Sequence, residues 1–209
     1  MIELYYTPTS CSLAAHIALR EAEAEYRLNL VKLWKSEEHE IFKQINPLGT
    51  VPAVKIDTTV LTENVAIMTY IASLYPEKKL MPEGQLEIAE CTAYMCWLSS
   101  SVQIARRQFR APQRFSTEAR SYESISSNGR DKFLGFLELI ENRLEDRQWV
   151  MGEHYTVADG YLLVFFAWAL SDQIEMSRYR YFSEFKERML TRGAVRQALE
   201  YEKNILVQL

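Results

Sequence analysis

A single cysteine, Cys11, stands where a thiol could be put to use. It lies in YTPTSCSLAAHIALRE, between the apolar stretch IELYY, which reads as a strand, and a helix opening at Ser12. A thiol at a helix N-terminus faces unpaired backbone N–H groups and the positive end of the helix dipole, and both favour thiolate. In C-S-L-A, Ala14 stands where a second cysteine would complete a C-x-x-C pair. A dithiol cycle within the motif is therefore excluded, and exchange with a small external thiol is left open. A small buried packing residue is the competing reading. Tyr6, Ser10 and Ser12 are nearby hydroxyls that could take over the role of donor.

Two further stretches bear on the same chemistry. In NPLGTVPAV, Pro52 precedes a predicted strand, so it marks a strand start or a sheet edge. Thioredoxin-like sheets carry a cis proline at such a place, and the preceding residue then offers its backbone to an extended peptide. In LTENVAI, Glu63 and Asn64 sit at a predicted helix start, with Asn64 as the expected N-cap. Helix N–H groups there can hold a carboxylate and Glu63 an ammonium, which fits the head group of an α-amino acid; a plain helix cap is the alternative. Taken together, the three stretches suit a γ-glutamyl tripeptide bearing a thiol. The arginines Arg106, Arg107, Arg110 and Arg114 have near-helical spacing. They read either as the wall of a pocket for anions or as a solvated basic face.

Composition sets the outer limits. The chain has 209 residues, 48% hydrophobic and 25% charged, enough for one large or two small packed domains. A net charge of -4 leaves no basic excess for phosphate backbones, so nucleic acid is not an expected partner. The longest apolar run, YLLVFFAWAL, is too short to span a bilayer and reads as a buried helix, so no membrane is expected either. No basic-then-apolar leader follows Met1, and the three cysteines are an odd number, which fits free thiols and a cytoplasmic location. The three histidines are scattered without metal-ligand spacing, so no metal is expected.

Positioning these residues requires two kinds of structure. All prolines but Pro112 fall within the first 82 residues. The order of apolar patterns there is βαβ, a charged stretch over 36–44, a hairpin turning at Asp57–Thr59, and a helix. That order predicts a thioredoxin-like α/β domain over 1–80. Beyond YPEKKLMPEG, the nearly proline-free remainder predicts an all-α helical-bundle domain over 86–209, with helices near 86–110, 117–145, 156–171, 179–191 and 194–205. Thr156 and Asp159 form a predicted capping box for the third of these. Trp97, Trp149 and Trp168, with Cys91 and Cys96, read as packing residues.

In combination, YYTPTSCSLAAHIALRE, NPLGTVPAV, LTENVAIMTYIA and WVMGEHYTVADGYLLVFFAWA resemble the glutathione S-transferases, in particular the bacterial beta class, across essentially the whole chain. The resemblance implies a homodimeric detoxification enzyme with glutathione as co-substrate and a small electrophile as second substrate. It implies conjugation, thiol–disulfide or peroxide chemistry through Cys11. Val51 would pair its backbone with the cysteinyl part of glutathione before a cis Pro52, Glu63 and Asn64 would hold the γ-glutamyl end, and Lys35 is the nearest candidate for the glycyl carboxylate. Arg106 falls where beta-class relatives carry a histidine close to the cysteine, and a guanidinium there could favour thiolate or bind anions without acting as a base. The alternative is a non-catalytic protein of the same fold, used for binding or regulation.

Overall fold

The computed structural model describes residues 1–33 and 37–207. β1 (Ile2–Tyr6), α1 (Ser12–Glu21) and β2 (Tyr26–Leu30) form a βαβ unit with parallel strands, and α2 (Glu37–Lys43) follows within the charged stretch. β3 (Ala53–Ile56) and β4 (Thr59–Thr62) form an antiparallel hairpin that leads into α3 (Asn64–Leu74). The sheet order is β2-β1-β3-β4. Alternation along β1 sends Ile2, Leu4 and Tyr6 into the main core, while Tyr5 faces the other side and meets Phe42 of α2. The hairpin lacks the glycine that would make its turn obvious. Asp57 takes the left-handed conformation instead (φ 53°), in a two-residue loop that pairs Ile56 with Thr59.

The second half is helical throughout. α4 (Gln85–Trp97) passes through a π-helical turn at Leu98–Val102 into α5 (Gln103–Arg110). The hydroxyls of Ser99 and Ser100 donate to the Cys96 carbonyl at 3.0 and 2.8 Å, competing with the regular ladder where the helix widens. α6 (Tyr122–Leu144), α7 (Val157–Ser171), α8 (Arg180–Thr191) and α9 (Gly193–Tyr201) complete the bundle. Two boundaries differ from the sequence expectation. The helix expected from 117 begins at Tyr122 after a 3₁₀ turn over Ala119–Ser121, and the last helix stops at Tyr201 because Lys203 turns left-handed (φ 51°).

α7 is the central element, buried from Val157 to Ala169. It lies close against α1: a methyl group added at Gly160 would meet Ile17 Cγ2 at 3.1 Å, so glycine there lets the two helices approach. The two halves share one apolar core and are tied by polar contacts. The Val157 N–H donates to the Leu80 carbonyl at 2.9 Å, and Arg192 grips Glu21 through two bonds of 2.6 and 2.7 Å. A buried polar chain crosses the same junction. Arg20 Nε donates to His16 Nε2 at 3.0 Å, so the ring proton sits on Nδ1 and is donated to Glu202 at 2.8 Å.

The capping box of α7 is present. The buried Asp159 carboxylate accepts the Thr156 N–H and the Val150 N–H, each at 2.8 Å. Removing it strands two buried donors, so Asp159→Ala should cost on the order of 2–5 kcal/mol of stability. Urea unfolding followed by circular dichroism measures this as a lower midpoint with an unchanged slope.

Candidate functional site around Cys11

The turn between β1 and α1 is built by hydroxyls. Ser12 Oγ donates to the Thr7 carbonyl at 3.1 Å, accepts the Thr7 N–H at 3.2 Å and meets Ser10 Oγ at 2.7 Å. Ser12 is fully buried and committed to this knot, whereas Ser10 lines the cavity described below. Tyr6, the third hydroxyl considered, points away from Cys11. It is buried with its ring 6.3 Å from both His16 and Tyr201, and burial together with Tyr201 pushes its pKa up to about 12. Neither Tyr6 nor Ser12 faces the space next to the thiol.

Cys11 caps α1 and is partly exposed to a cavity of about 350 Å³. Its Sγ donates toward the Val51 carbonyl at 3.6 Å and receives the Gln103 side-chain amide at 3.8 Å. Tyr161 O–H holds the other end of that amide at 2.9 Å, which fixes the orientation in which Gln103 presents its N–H to sulfur. Burial raises the Cys11 pKa above the ordinary thiol value; the Gln103 hydrogen bond, the Arg107 charge and the backbone oppose the rise, and Glu63 adds to it. Burial is the largest of these influences, so the net shift favours the protonated thiol.

Val51 and Pro52 are joined by a cis peptide bond. The loop before them is held by Asn46, whose side chain donates to the Thr50 carbonyl at 2.8 Å and accepts the Leu48 N–H at 3.2 Å. Gly49 is left-handed (φ 61°) and its carbonyl bonds His39 Nε2 at 2.9 Å; a side chain at this position would collide with that ring. These contacts present Thr50 and Val51 to the cavity.

At α3 the N-cap is Glu63, not Asn64. Glu63 is exposed with a positive φ of 67°, a conformation that costs a non-glycine residue roughly 1–3 kcal/mol. The Asn64 side chain donates to the Cys11 carbonyl at 2.8 Å, so it links the starts of α3 and α1. Its backbone N–H, in the first turn of α3, is the part that could meet a ligand. Lys35 lies outside the described residues.

Arg106 was expected beside the thiol. It lines the cavity, but its guanidinium is held by Asp172 through bonds of 2.7 and 3.0 Å and lies 4.4 Å from the centre of the Trp168 ring. The cause is a buried carboxylate just past the end of α7, which draws in Arg106 and also Arg110 at 3.1 Å. The residues acting on Cys11 are Gln103 and Arg107 instead. Gln103 precedes Arg106 and Arg107 by three and four positions, so a helical wheel anchored on the arginines would have found it. Trp168 is buried in the core as expected, and it also borders the cavity while its indole N–H donates to the Thr9 carbonyl at 2.8 Å. Cys91 is buried as expected, but Cys96 is exposed.

A larger cavity, about 550 Å³, opens elsewhere between the interdomain segment and α4 beside Met81, Glu87 and His154, and Cys11 has no part in it. Among the described residues no group of three or more His, Cys, Asp or Glu could hold a metal ion, and no helix is long and apolar enough to cross a membrane.

The sign of the Cys11 shift is testable. In a Cys96→Ser background, which removes the exposed thiol, alkylation of Cys11 by iodoacetamide should accelerate only above the ordinary thiol pKa of about 8.5. Gln103→Ala should move the inflection higher still, because the lost donor favoured thiolate. A mass-resolved rate–pH profile reads both.

Comparison with known proteins now bears on this geometry. A family profile described as the glutathione S-transferase N-terminal domain matches residues 2–73. The chain is 30% identical over 205 residues to the glutathione S-transferase GstA of Escherichia coli O157:H7, covering 96% of this chain and 98% of that protein. A solved sphingomonad glutathione S-transferase complexed with glutathione superposes with a TM-score of 0.85 at 32% identity, covering 96% of this chain and 98% of that one. A probable maleylacetoacetate isomerase of Caenorhabditis elegans is 32% identical over 98 residues, 47% of this chain and 46% of that protein. The near-full-length match at this identity, on a thioredoxin-like sheet backed by a helical bundle, places the chain in the glutathione S-transferase family of enzymes.

Proposed function

We propose that the protein conjugates glutathione to small electrophiles, with Cys11 acting as a neutral hydrogen-bond donor to the glutathione sulfur. The observation that carries this reading is the raised pKa of Cys11 combined with its seat between the Val51 carbonyl and the Gln103 amide. A thiol of that kind can turn its S–H from the Val51 carbonyl to a bound thiolate. That thiolate then attacks an electrophilic carbon, and the leaving group departs with its bonding pair. The protein supplies orientation, exclusion of water and charge stabilisation.

The N-terminal half provides the glutathione side. Val51, ahead of cis Pro52, offers its backbone to the cysteinyl part, and the start of α3 at Glu63 and Asn64 takes the γ-glutamyl end. Lys35 remains the candidate for the glycyl carboxylate. The all-α half, from α4 onward, builds the second-substrate wall. Ser10 lines the site with its hydroxyl hydrogen given to Ser12 Oγ, and Arg106 shapes the wall through its bond to Asp172.

Cys11 at the head of α1 supports placing the chain in the beta class or a beta-like lineage, with Gln103 adjoining the thiol. A homodimer is part of this proposal, supported by the apolar side chains of Leu74, Leu86 and Ile88 left exposed on α3 and α4. A cytoplasmic place in detoxification is consistent with three cysteines that are all free. The curated isomerase relative matches only half of this chain, so it supports shared glutathione handling more than a shared reaction. With family membership in place, no observation favours the non-catalytic alternative.

Two measurements on wild type and Cys11→Ser separate donor from nucleophile. Conjugation should survive in Cys11→Ser with a loss of roughly tenfold or less, because a serine hydroxyl can still donate. Intact mass after incubation with oxidised glutathione should reveal no stable adduct on Cys11 near neutral pH. A Cys11-dependent adduct with abolished turnover in the serine variant would instead establish mixed-disulfide chemistry.

A further inference from the structure

A chain of hydrogen bonds around the thiol begins and ends on Cys11. Its backbone carbonyl can only accept, so the Asn64 side chain turns its NH2 group toward it, at 2.8 Å. That orientation leaves Asn64 Oδ1 buried without a partner. A stranded acceptor lowers stability, so the carbonyl, and not the bonding of Asn64 as a whole, sets the direction. Asn64 also hydrogen-bonds the Tyr161 hydroxyl. Burial, and next the neighbouring Cys11, raise the Tyr161 pKa, so the hydroxyl keeps its proton; the Asn64 bond opposes the rise, as a donor to the phenol oxygen does. Tyr161 gives its hydrogen to Gln103 Oε1 at 2.9 Å. An amide whose oxygen is engaged presents its N–H groups on the other side, and Gln103 Nε2 lies 3.8 Å from Cys11 Sγ. Donation therefore runs one way, from Asn64 of α3 through Tyr161 of α7 and Gln103 of α5 to the sulfur. Asn64 and Tyr161 are both buried, where successive hydrogen bonds polarise one another.

We propose that Tyr161 is a positioning residue for the sulfur chemistry of this site: its hydroxyl holds Gln103 with the amide N–H, and not the amide oxygen, toward Cys11. Without that hold the amide could turn over and offer its oxygen to the S–H, which would favour the neutral thiol. With it, the sulfur meets a donor, and a donor stabilises a sulfur bearing negative charge more than a neutral one. The relay is a property of the protein without ligand. Its bearing on turnover rests on the glutathione reading above, in which Cys11 gives its S–H to the glutathione thiolate. A Cys11 sulfur that accepts from Gln103 is the stronger donor to that thiolate.

The test is a double-mutant cycle read on Cys11 itself. Tyr161→Phe removes the hydroxyl and keeps the ring. In the Cys96→Ser background, the inflection of Cys11 alkylation against pH should rise by about half a unit, part of the weight of one hydrogen bond. Gln103→Ala should raise it at least as far. Adding Tyr161→Phe to Gln103→Ala should move it no further, because Tyr161 acts through Gln103. An inflection that Tyr161→Phe leaves in place, or shifts equally with and without Gln103, overturns the proposal. Circular dichroism checks that each variant folds. If Tyr161→Phe does not, Asn64→Ala takes its place in the cycle. An effect of Asn64→Ala that is mostly lost without Gln103 then sustains the relay, and an additive effect removes it. The readout needs no glutathione, so it stands whether or not the conjugation assay supports the glutathione reading.

Discussion

Everything at this site depends on how the first turn of α1 is gripped. The Cys11 carbonyl is held by Asn64 at the start of α3, its sulfur touches the Val51 carbonyl and the Gln103 amide, and the preceding Thr9 carbonyl is held by Trp168 of α7. Two of these partners belong to the sheet half and two to the helical half. Neither half alone gives the thiol its environment, and the shared core with the His16–Glu202 and Glu21–Arg192 contacts keeps the halves in register.

That grip also accounts for the electrostatics. A cysteine at a helix N-terminus in water would be acidified. Here burial raises the thiol, and the Gln103 amide, the Arg107 charge and the backbone only partly offset it. The arginine nearest in expectation, Arg106, is neutralised by Asp172, so its charge is turned into a structural brace for the wall and for Trp168.

Much of the scaffold was legible in the sequence because it rests on local rules. The βαβ order, the proline break, the Thr156–Asp159 capping box and the buried α7 follow from periodicity and end signals. Cys11, Val51 and Ser10 come together at one cavity, with cis Pro52 directly following Val51, and Glu63 lies close enough for its charge to act on Cys11. What stayed hidden depends on tertiary partners. Arg106 could be assigned by position, but its pairing with a buried aspartate 66 residues away could not. Trp168 carried no local signal for contact with the thiol's turn, and Gln103 could be reached only through its helical spacing from Arg106 and Arg107, because the π-helical turn before it breaks the phase with α4. Tyr6 and Ser12 were plausible by proximity in sequence, yet strand alternation buries one ring and the turn's hydroxyl knot consumes the other group.

The central claim is that the thiolate at this site belongs to glutathione and that Cys11 remains protonated. Thiolate ultraviolet absorbance, titrated with pH on the free protein and on its glutathione complex, tests it most directly. The account predicts no Cys11-dependent thiolate signal in the free protein near neutral pH, and a signal that appears with glutathione and persists in Cys11→Ser. A thiolate band in the free protein at neutral pH that vanishes in Cys11→Ser would contradict it, and would make Cys11 the nucleophile.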